Sequence, residues 1–229
     1  MAQQAAPSMG RRRGRSAKAP LTSQSIVDAA LGLIRERGVD AVALRQVADQ
    51  VETGPASLYA YFASREVLLE HVLDAAYAQV QLVDIDDGGL GWREALAETI
   101  VNTIETLARY PGLGSVALGT IPVLPGALRL AEHELSLMEA GGITAERAAL
   151  AVDLIAQFAA SSAIERTVRP NGNRGDGERE QVRAAYENAD PERFPRIRER
   201  AALLTSPDDQ ARRTFAIRVL IDGIDRSAS

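Results

Sequence analysis

The stretch that decides the fold runs from residue 44 to residue 62. It reads Leu44-Arg45-Gln46-Val47-Ala48-Asp49-Gln50-Val51, then Glu52-Thr53-Gly54, then Pro55-Ala56-Ser57-Leu58-Tyr59-Ala60-Tyr61-Phe62. Leu44, Val47, Ala48 and Val51 recur at helical spacing and give a short helix one apolar face. Gly54-Pro55 opens the next helix, with glycine near the cap and proline at the first helical position, where its missing N–H costs nothing. Two short helices joined by a tight turn, the second beginning with small residues, make a helix-turn-helix, the arrangement that lays a second helix in a DNA major groove.

Working outward, Thr22 is a candidate N-cap for a preceding helix in which Ile26, Ala29, Ala30, Leu33 and Ile34 form one stripe up to a stop at Gly38. Downstream, Ser64 caps a long connector helix with an apolar stripe of Val67, Leu68, Val72, Leu73 and Ala76, ending near the Gly-rich segment 84–91. From Trp92 onward each segment reads as helix: 92–109, 112–119, 125–140, 144–168, 191–204 and 207–225, with residues 169–180 as a mobile loop. The expected fold is all-α. It comprises a basic arm over 1–19, taken as disordered, a three-helix helix-turn-helix domain over 20–66, and a helical ligand-binding and dimerisation domain over 67–229.

Composition agrees. Apolar residues make up 46% and charged residues 25% of 229, enough to bury a core, while aromatics at 4% argue against a β-sandwich or barrel. Absence of cysteine excludes disulfides and thiolate chemistry, and two histidines leave little for a metal. No apolar run approaches the roughly 20 residues of a membrane span and none follows the N-terminus as a signal peptide, so the expectation is cytoplasmic with no membrane partner. The net charge of −5 hides an asymmetry: residues 1–65 hold nine basic and five acidic side chains, the remainder 17 and 26. Arg11, Arg12, Arg13, Arg15 and Lys18 stand in an acid-free arm, a composition suited to nucleic acid but equally to a merely solubilising tail.

The run Thr53-Gly54-Pro55-Ala56-Ser57-Leu58-Tyr59-Ala60, followed by Ser64-Arg65-Glu66 and Leu68-Leu69, resembles the tetracycline-repressor (TetR) family closely, over about residues 22 to 75. The resemblance implies a ligand-responsive repressor that binds a palindromic operator in double-stranded DNA as a homodimer, is not an enzyme and needs no cofactor. By its pattern, Arg45 and Gln46 at the start of one helix, and Thr53, Pro55, Ala56 and Ser57 at the start of the next, face bases or phosphates. Tyr59 and Tyr61 resemble the family's paired aromatics, one packing on the motif and the other giving its hydroxyl to phosphate. Arg65 is expected to clamp phosphate beside a helix N-terminus. Where the family usually has glycine this chain has Glu52; the turn there often requires positive φ, which Glu adopts only at a cost of roughly 1 to 2 kcal/mol, so either the turn differs here or some DNA affinity is surrendered to a charge near phosphate. An all-α enzyme or metabolite-binding module keeping the motif as scaffold is the alternative, distinguished by the absence of an operator footprint.

In the second domain, Trp92 and a column of hydroxyls at Thr99 and Thr103 suggest a ligand surface, with His133, Gln157 and Phe158 as further candidates. The plainer reading gives those threonines to their own helix carbonyls. Helix 144–168 is apolar nearly all round and must be buried on two sides. The expectation puts Leu150, Leu154 and Phe158 on the domain core and the alanine side on a second copy, forming with helix 207–225 a four-helix dimer interface. The effector is expected to be small and lipophilic or aromatic. Asp84 to Gly88 fails as a calcium loop because its twelfth position is Ala95, and the chain holds no nucleophile elbow, zinc or phosphate-loop signature.

Overall fold

A computed structural model describes residues 20–85, 87–168, 176–206 and 208–226, and all regular structure among them is helical. Arg11, Arg12, Arg13 and Arg15 of the arm, and residues 169–175 of the expected loop, lie outside the described residues. The helices are α1 (Ser23–Arg37), α2 (Leu44–Gln50), α3 (Pro55–Leu58), α4 (Arg65–Tyr77), α5 (Trp92–Ala108), α6 (Leu113–Gly119), α7 (Pro125–Ala140), α8 (Ala145–Val168), α9 (Asp176–Glu187), α10 (Pro195–Glu199), α11 (Ala201–Thr205) and α12 (Asp209–Arg226).

Local chemistry explains most boundaries. Thr22 and Ser25 form a reciprocal capping box at the start of α1, and Gly38 at φ 79° ends it. Ser64 caps α4, and Pro55, Pro125 and Pro195 each start a helix in the first turn. Pro195 also corrects the helix expected over 191–204: it starts α10 at its first position instead of lying inside a helix, and a second break at Arg200 separates α10 from α11. Residues 176–180, expected as loop, belong to α9. Its weak apolar stripe of Val182 and Tyr186, with Gly177 near its start, hides the helix from a periodicity reading.

Two buried clusters organise the chain. The first joins Ile26, Ile34, Val47, Leu58 and Phe62 of the helix-turn-helix to Leu68, Val72 and Leu73 of α4, and continues through Tyr77 to Leu107, Leu113 and Leu130. The expected domain boundary at 66/67 therefore falls in the first turn of a helix that is core to both sides. The second cluster packs Leu96, Ile100 and Ile104 of α5 with Leu137 and Met138 of α7, Ile155 and Ala159 of α8, and Ile217, Ile221 and Ile224 of α12. Arg93 ties α5 to α12 through Asp222, at 3.0 Å, and Asp225.

Helix α8 reverses its expected orientation. Ala148, Ala151, Ile155, Ala159, Ala160 and Ala163 face the chain's own core, whereas Leu150 is 76% exposed and Leu154 is exposed with it. The reason is close approach: Gly114 of α6 rests on α8 so tightly that a Cβ there would stand 2.6 Å from the Ala160 carbonyl oxygen. Small residues on α8 serve contact with α6 rather than with a second copy. On α12 likewise, Ile217, Ile221 and Ile224 are core, leaving Phe215 and Val219 exposed. Helix α8 is, among the described residues, the one helix long and apolar enough to cross a bilayer by length and composition, against the expectation that no such run exists. Its inner side is protein core and its outer side carries Asp153 and Gln157.

Candidate nucleic-acid interface and effector cavity

The helix-turn-helix is held by apolar contacts and finished by backbone hydrogen bonds. Val47, Ala48 and Leu58 are fully buried, and Phe62 meets the His71 ring edge-on at 5.2 Å. After α2, the Glu52 N–H donates to the Asp49 carbonyl (3.2 Å) and the Thr53 N–H to the Ala48 carbonyl (2.9 Å), a paired closure that requires a left-handed residue at position 52. Glu52 supplies it at φ 53°, the one non-glycine residue at positive φ among those described. The turn therefore keeps the positive φ, and of the two alternatives the one in which the turn differs is set aside.

Around this frame Arg45, Gln46, Pro55, Ala56, Ser57 and Tyr59 are all exposed, and Thr53 is half-buried in the turn. The two tyrosines divide their roles. Tyr61 donates its hydroxyl to the Leu21 carbonyl at 2.8 Å and anchors the chain entering α1, so Tyr59, 58% exposed, is the one left facing outward. Arg65, expected as a phosphate clamp, spends two of its five donors inside the fold: Nε donates to the Val42 carbonyl (2.6 Å) and Nη2 to the Val39 carbonyl (2.8 Å). Its planar fork locks the turn between α1 and α2 onto α4, a task lysine's single ammonium does not match. Beside it, the Glu66 carboxyl is held below its ordinary range by a hydrogen bond from its own backbone N–H, then by the Ser64 hydroxyl.

Helix α4 carries this frame to the second domain, where α7 grips its far end. Asp74 accepts from the Ala127 N–H at 3.0 Å, capping α7 from α4. In return, Arg129 Nη2 donates to the carbonyls of Tyr77 (3.2 Å), Ala78 (3.2 Å) and Val80 (2.8 Å), which places a cation at the C-terminal, negative end of α4. Gly126 lies so near the Asp74 carbonyl that no side chain fits between the two helices.

The six expected ligand residues do not converge. Trp92 packs its ring on Gly141. Thr99 accepts the Val83 N–H at 3.3 Å, His133 Nε2–H donates to the Val83 carbonyl at 3.0 Å, and together they fasten the segment after α4. Gln157 is exposed and donates to Asp153 at 2.6 Å on its own helix. Phe158 borders an outer groove of about 140 Å³ with Arg212 and Arg213. Of the six, Thr103 lines a small cleft at the core's edge; its hydroxyl donates to the Thr99 carbonyl at 2.9 Å, the plainer reading of the threonine column.

That cleft, about 50 Å³, lies between α4, α5, α7 and α8 and is lined by Tyr77, Thr103, Leu130, Glu134, Val152, Ile155 and Ala156 among others. Glu134 is its one charged side chain, 3% exposed, with burial pushing its carboxyl up to about 8. Burial, and then the charge of Glu134, push the Tyr77 phenol up to about 12. Sequence reasoning passed over Glu134, yet a signal exists: it occupies a core position of the stripe Ala127, Leu130, Glu134, Leu137, Met138, where every other member is apolar.

An exposed short-helix reader on a rigid frame, joined by one shared helix to a helical domain with a small cleft, defines a helix-turn-helix transcriptional regulator. Residues 26–72 match the family described as bacterial regulatory proteins, tetR family, and residues 86–227 match the tetracyclin repressor-like C-terminal domain. The chain belongs to the TetR family. It is 29% identical over 169 residues to the HTH-type transcriptional repressor DrrR1 of Streptomyces coeruleorubidus, covering 73% of this chain and 62% of that protein, so it spans less than two thirds of that relative. Among solved structures it is similar to the TetR family protein ActR of Streptomyces coelicolor in complex with actinorhodin, with TM-score 0.83, 28% identity, and 92% and 100% of the two chains covered. ActR in complex with (S)-DNPA aligns over the same shares with TM-score 0.81.

Proposed function

We propose that this chain is a ligand-responsive repressor, binding a palindromic operator as a homodimer and released by a small lipophilic or aromatic effector. The observation that carries the reading is the double use of α4, core to the DNA-reading frame at one end and clamped by α7 beside a small cleft at the other. A ligand that spreads α4 from α7 must move the reader, because Arg65 fixes the reader to α4. Support for a small-molecule effector comes from ActR, whose solved complexes hold actinorhodin and (S)-DNPA.

Arg45, Gln46, Thr53, Pro55, Ala56, Ser57 and Tyr59 are the proposed DNA contacts, with the arm arginines adding phosphate or minor-groove contacts. The proposed dimer seam consists of Leu150 and Leu154 on α8 with Phe215 and Val219 on α12, large apolar side chains that water would otherwise wet. The effector site is moved from the Trp92 surface to the cavity beside Glu134. Selection of duplexes from a random pool by the purified full chain tests the reading. It should enrich palindromes with half-sites about one helical turn apart, bound by a dimer. Failure to enrich any sequence would leave the all-α scaffold reading in its place.

A further inference from the structure

On the reading above, we propose that Glu134 makes the cavity selective for effectors that carry a protonated amine on an apolar, aromatic-sized body. Glu134 projects from α7 and is 3% exposed, and among the described residues no hydrogen bond or ion pair reaches its carboxyl, whose oxygens are not fully sealed from water. No lysine or arginine lines the cavity: α4 presents Tyr77, α5 presents Thr103, and α8 presents Val152, Ile155 and Ala156. Arg129, on the same helix, is spent on the carbonyls at the end of α4. A carboxyl so placed is favoured protonated or paired with a cation, and among the described residues none supplies the cation. A ligand ammonium does.

The rest of the lining fits the remainder of such a ligand. The walls are aliphatic, and the neutral phenol of Tyr77 adds a ring face and a hydroxyl. At about 50 Å³ the cavity is too small for an aromatic body as it stands. Tyr77, Pro122 and Ala127 also line a second cavity of about 50 Å³, beneath Ile121 and Val123 of the loop between α6 and α7; its α4 wall carries the carboxylates of Glu70 and of Asp74, the latter already accepting the Ala127 N–H. These three residues are the wall shared by the two, and an aromatic body requires that wall to yield to it, with Ile121, 84% exposed, on the outer side. Entry of the ligand and displacement of α4 are then one event.

Three matched probes test this by calorimetry on the full chain: 2-naphthylmethylamine, 2-naphthalenemethanol and 2-naphthoate. At pH 7 the amine should bind about tenfold or more tightly than the alcohol, with the acid weakest. Because the Glu134 proton must leave before the pair forms, amine affinity should rise as pH increases toward about 8, with buffer-dependent heats reporting proton release. Glu134→Gln keeps the shape and should erase both the amine preference and the pH dependence, while alcohol affinity stays within about twofold. An amine that binds no better than the alcohol, an amine that does not bind, or a Gln variant that keeps the preference overturns the proposal. Equal binding of all three probes with release of operator would remove the amine selectivity and leave the effector reading standing. Amine selectivity with no effect on operator binding would do the reverse.

Discussion

In the helix-turn-helix half, Arg65 ends on two carbonyls, Tyr61 on a third, and Thr22 and Ser25 on each other; in the C-terminal half, no hydrogen bond or ion pair from the described residues reaches Glu134. If Arg45, Pro55 and Tyr59 read DNA as proposed, their frame gains from having its supporting polar groups tied off, since freedom there blurs register on DNA. A receiver gains from an unmet demand, because an unpaired buried group makes the ligand-free packing only marginally preferred and gives a complementary ligand differential binding energy to spend. Between them α4 belongs to both.

The largest expected effect tests the unmet demand directly. With its carboxyl pushed from 4.5 to about 8 in the folded chain, Glu134 binds a proton more tightly folded than unfolded. Its contribution is therefore fully present below about pH 4.5 and is lost as pH rises through about 8, a swing of at most about 5 kcal/mol. Denaturant titrations of Glu134→Leu against the native chain between pH 5 and 9 should show the variant losing this fall. Parallel pH profiles for the two proteins would mean that Glu134 is already satisfied.

The proposed dimer makes a test of where α8 and α12 put their large side chains. Leu154→Glu with Phe215→Glu should weaken the dimer by at least ~100-fold, read by sedimentation equilibrium, with helicity unchanged. The same charges placed without effect on mass would return the seam to the alanine side. On the reader side, Arg65→Ala should cost about 2 kcal/mol by leaving the Val39 and Val42 carbonyls short of donors, and Lys should restore less than half. An Arg65→Ala variant of native stability whose operator affinity loses only its salt dependence would restore Arg65 as a phosphate contact. The smallest effect concerns the turn. Glu52→Gly relieves a left-handed residue at φ 53° and should add up to roughly 1 kcal/mol, net of glycine's extra chain entropy, while Gln stays near neutral in thermal melts.

These positions also show what a sequence displays. Caps and prolines act within a few residues, so Thr22, Gly38, Ser64 and Pro55 mark helix ends directly, and a non-glycine residue where the family has glycine marked the turn at Glu52 without fixing its backbone angle. Orientation is a longer-range property. The apolar, two-sided α8 offered two faces, and only the close seat of Gly114 on Ala160 decides that the alanines turn inward. Arg65 at a helix start reads like an anion clamp until the carbonyls of Val39 and Val42, brought near by folding, claim it. The threonine and tryptophan surface looked like a pocket because hydroxyls beside apolar residues suggest one. The cavity instead gathers around the charged residue that broke an apolar stripe, and Glu134 was legible only as a violation of that pattern.

The central claim is that the cavity beside Glu134 and the DNA surface are two ends of one equilibrium. It is tested most directly by measuring the affinity of 2-naphthylmethylamine for the full chain, free and saturated with its selected operator duplex. Linkage requires that whatever the amine does to operator affinity, operator does to amine affinity by the same factor. The account predicts amine binding at least about tenfold weaker in the operator complex, with the same factor lost in operator affinity when the amine is saturating. Equal amine affinity with and without operator would contradict it.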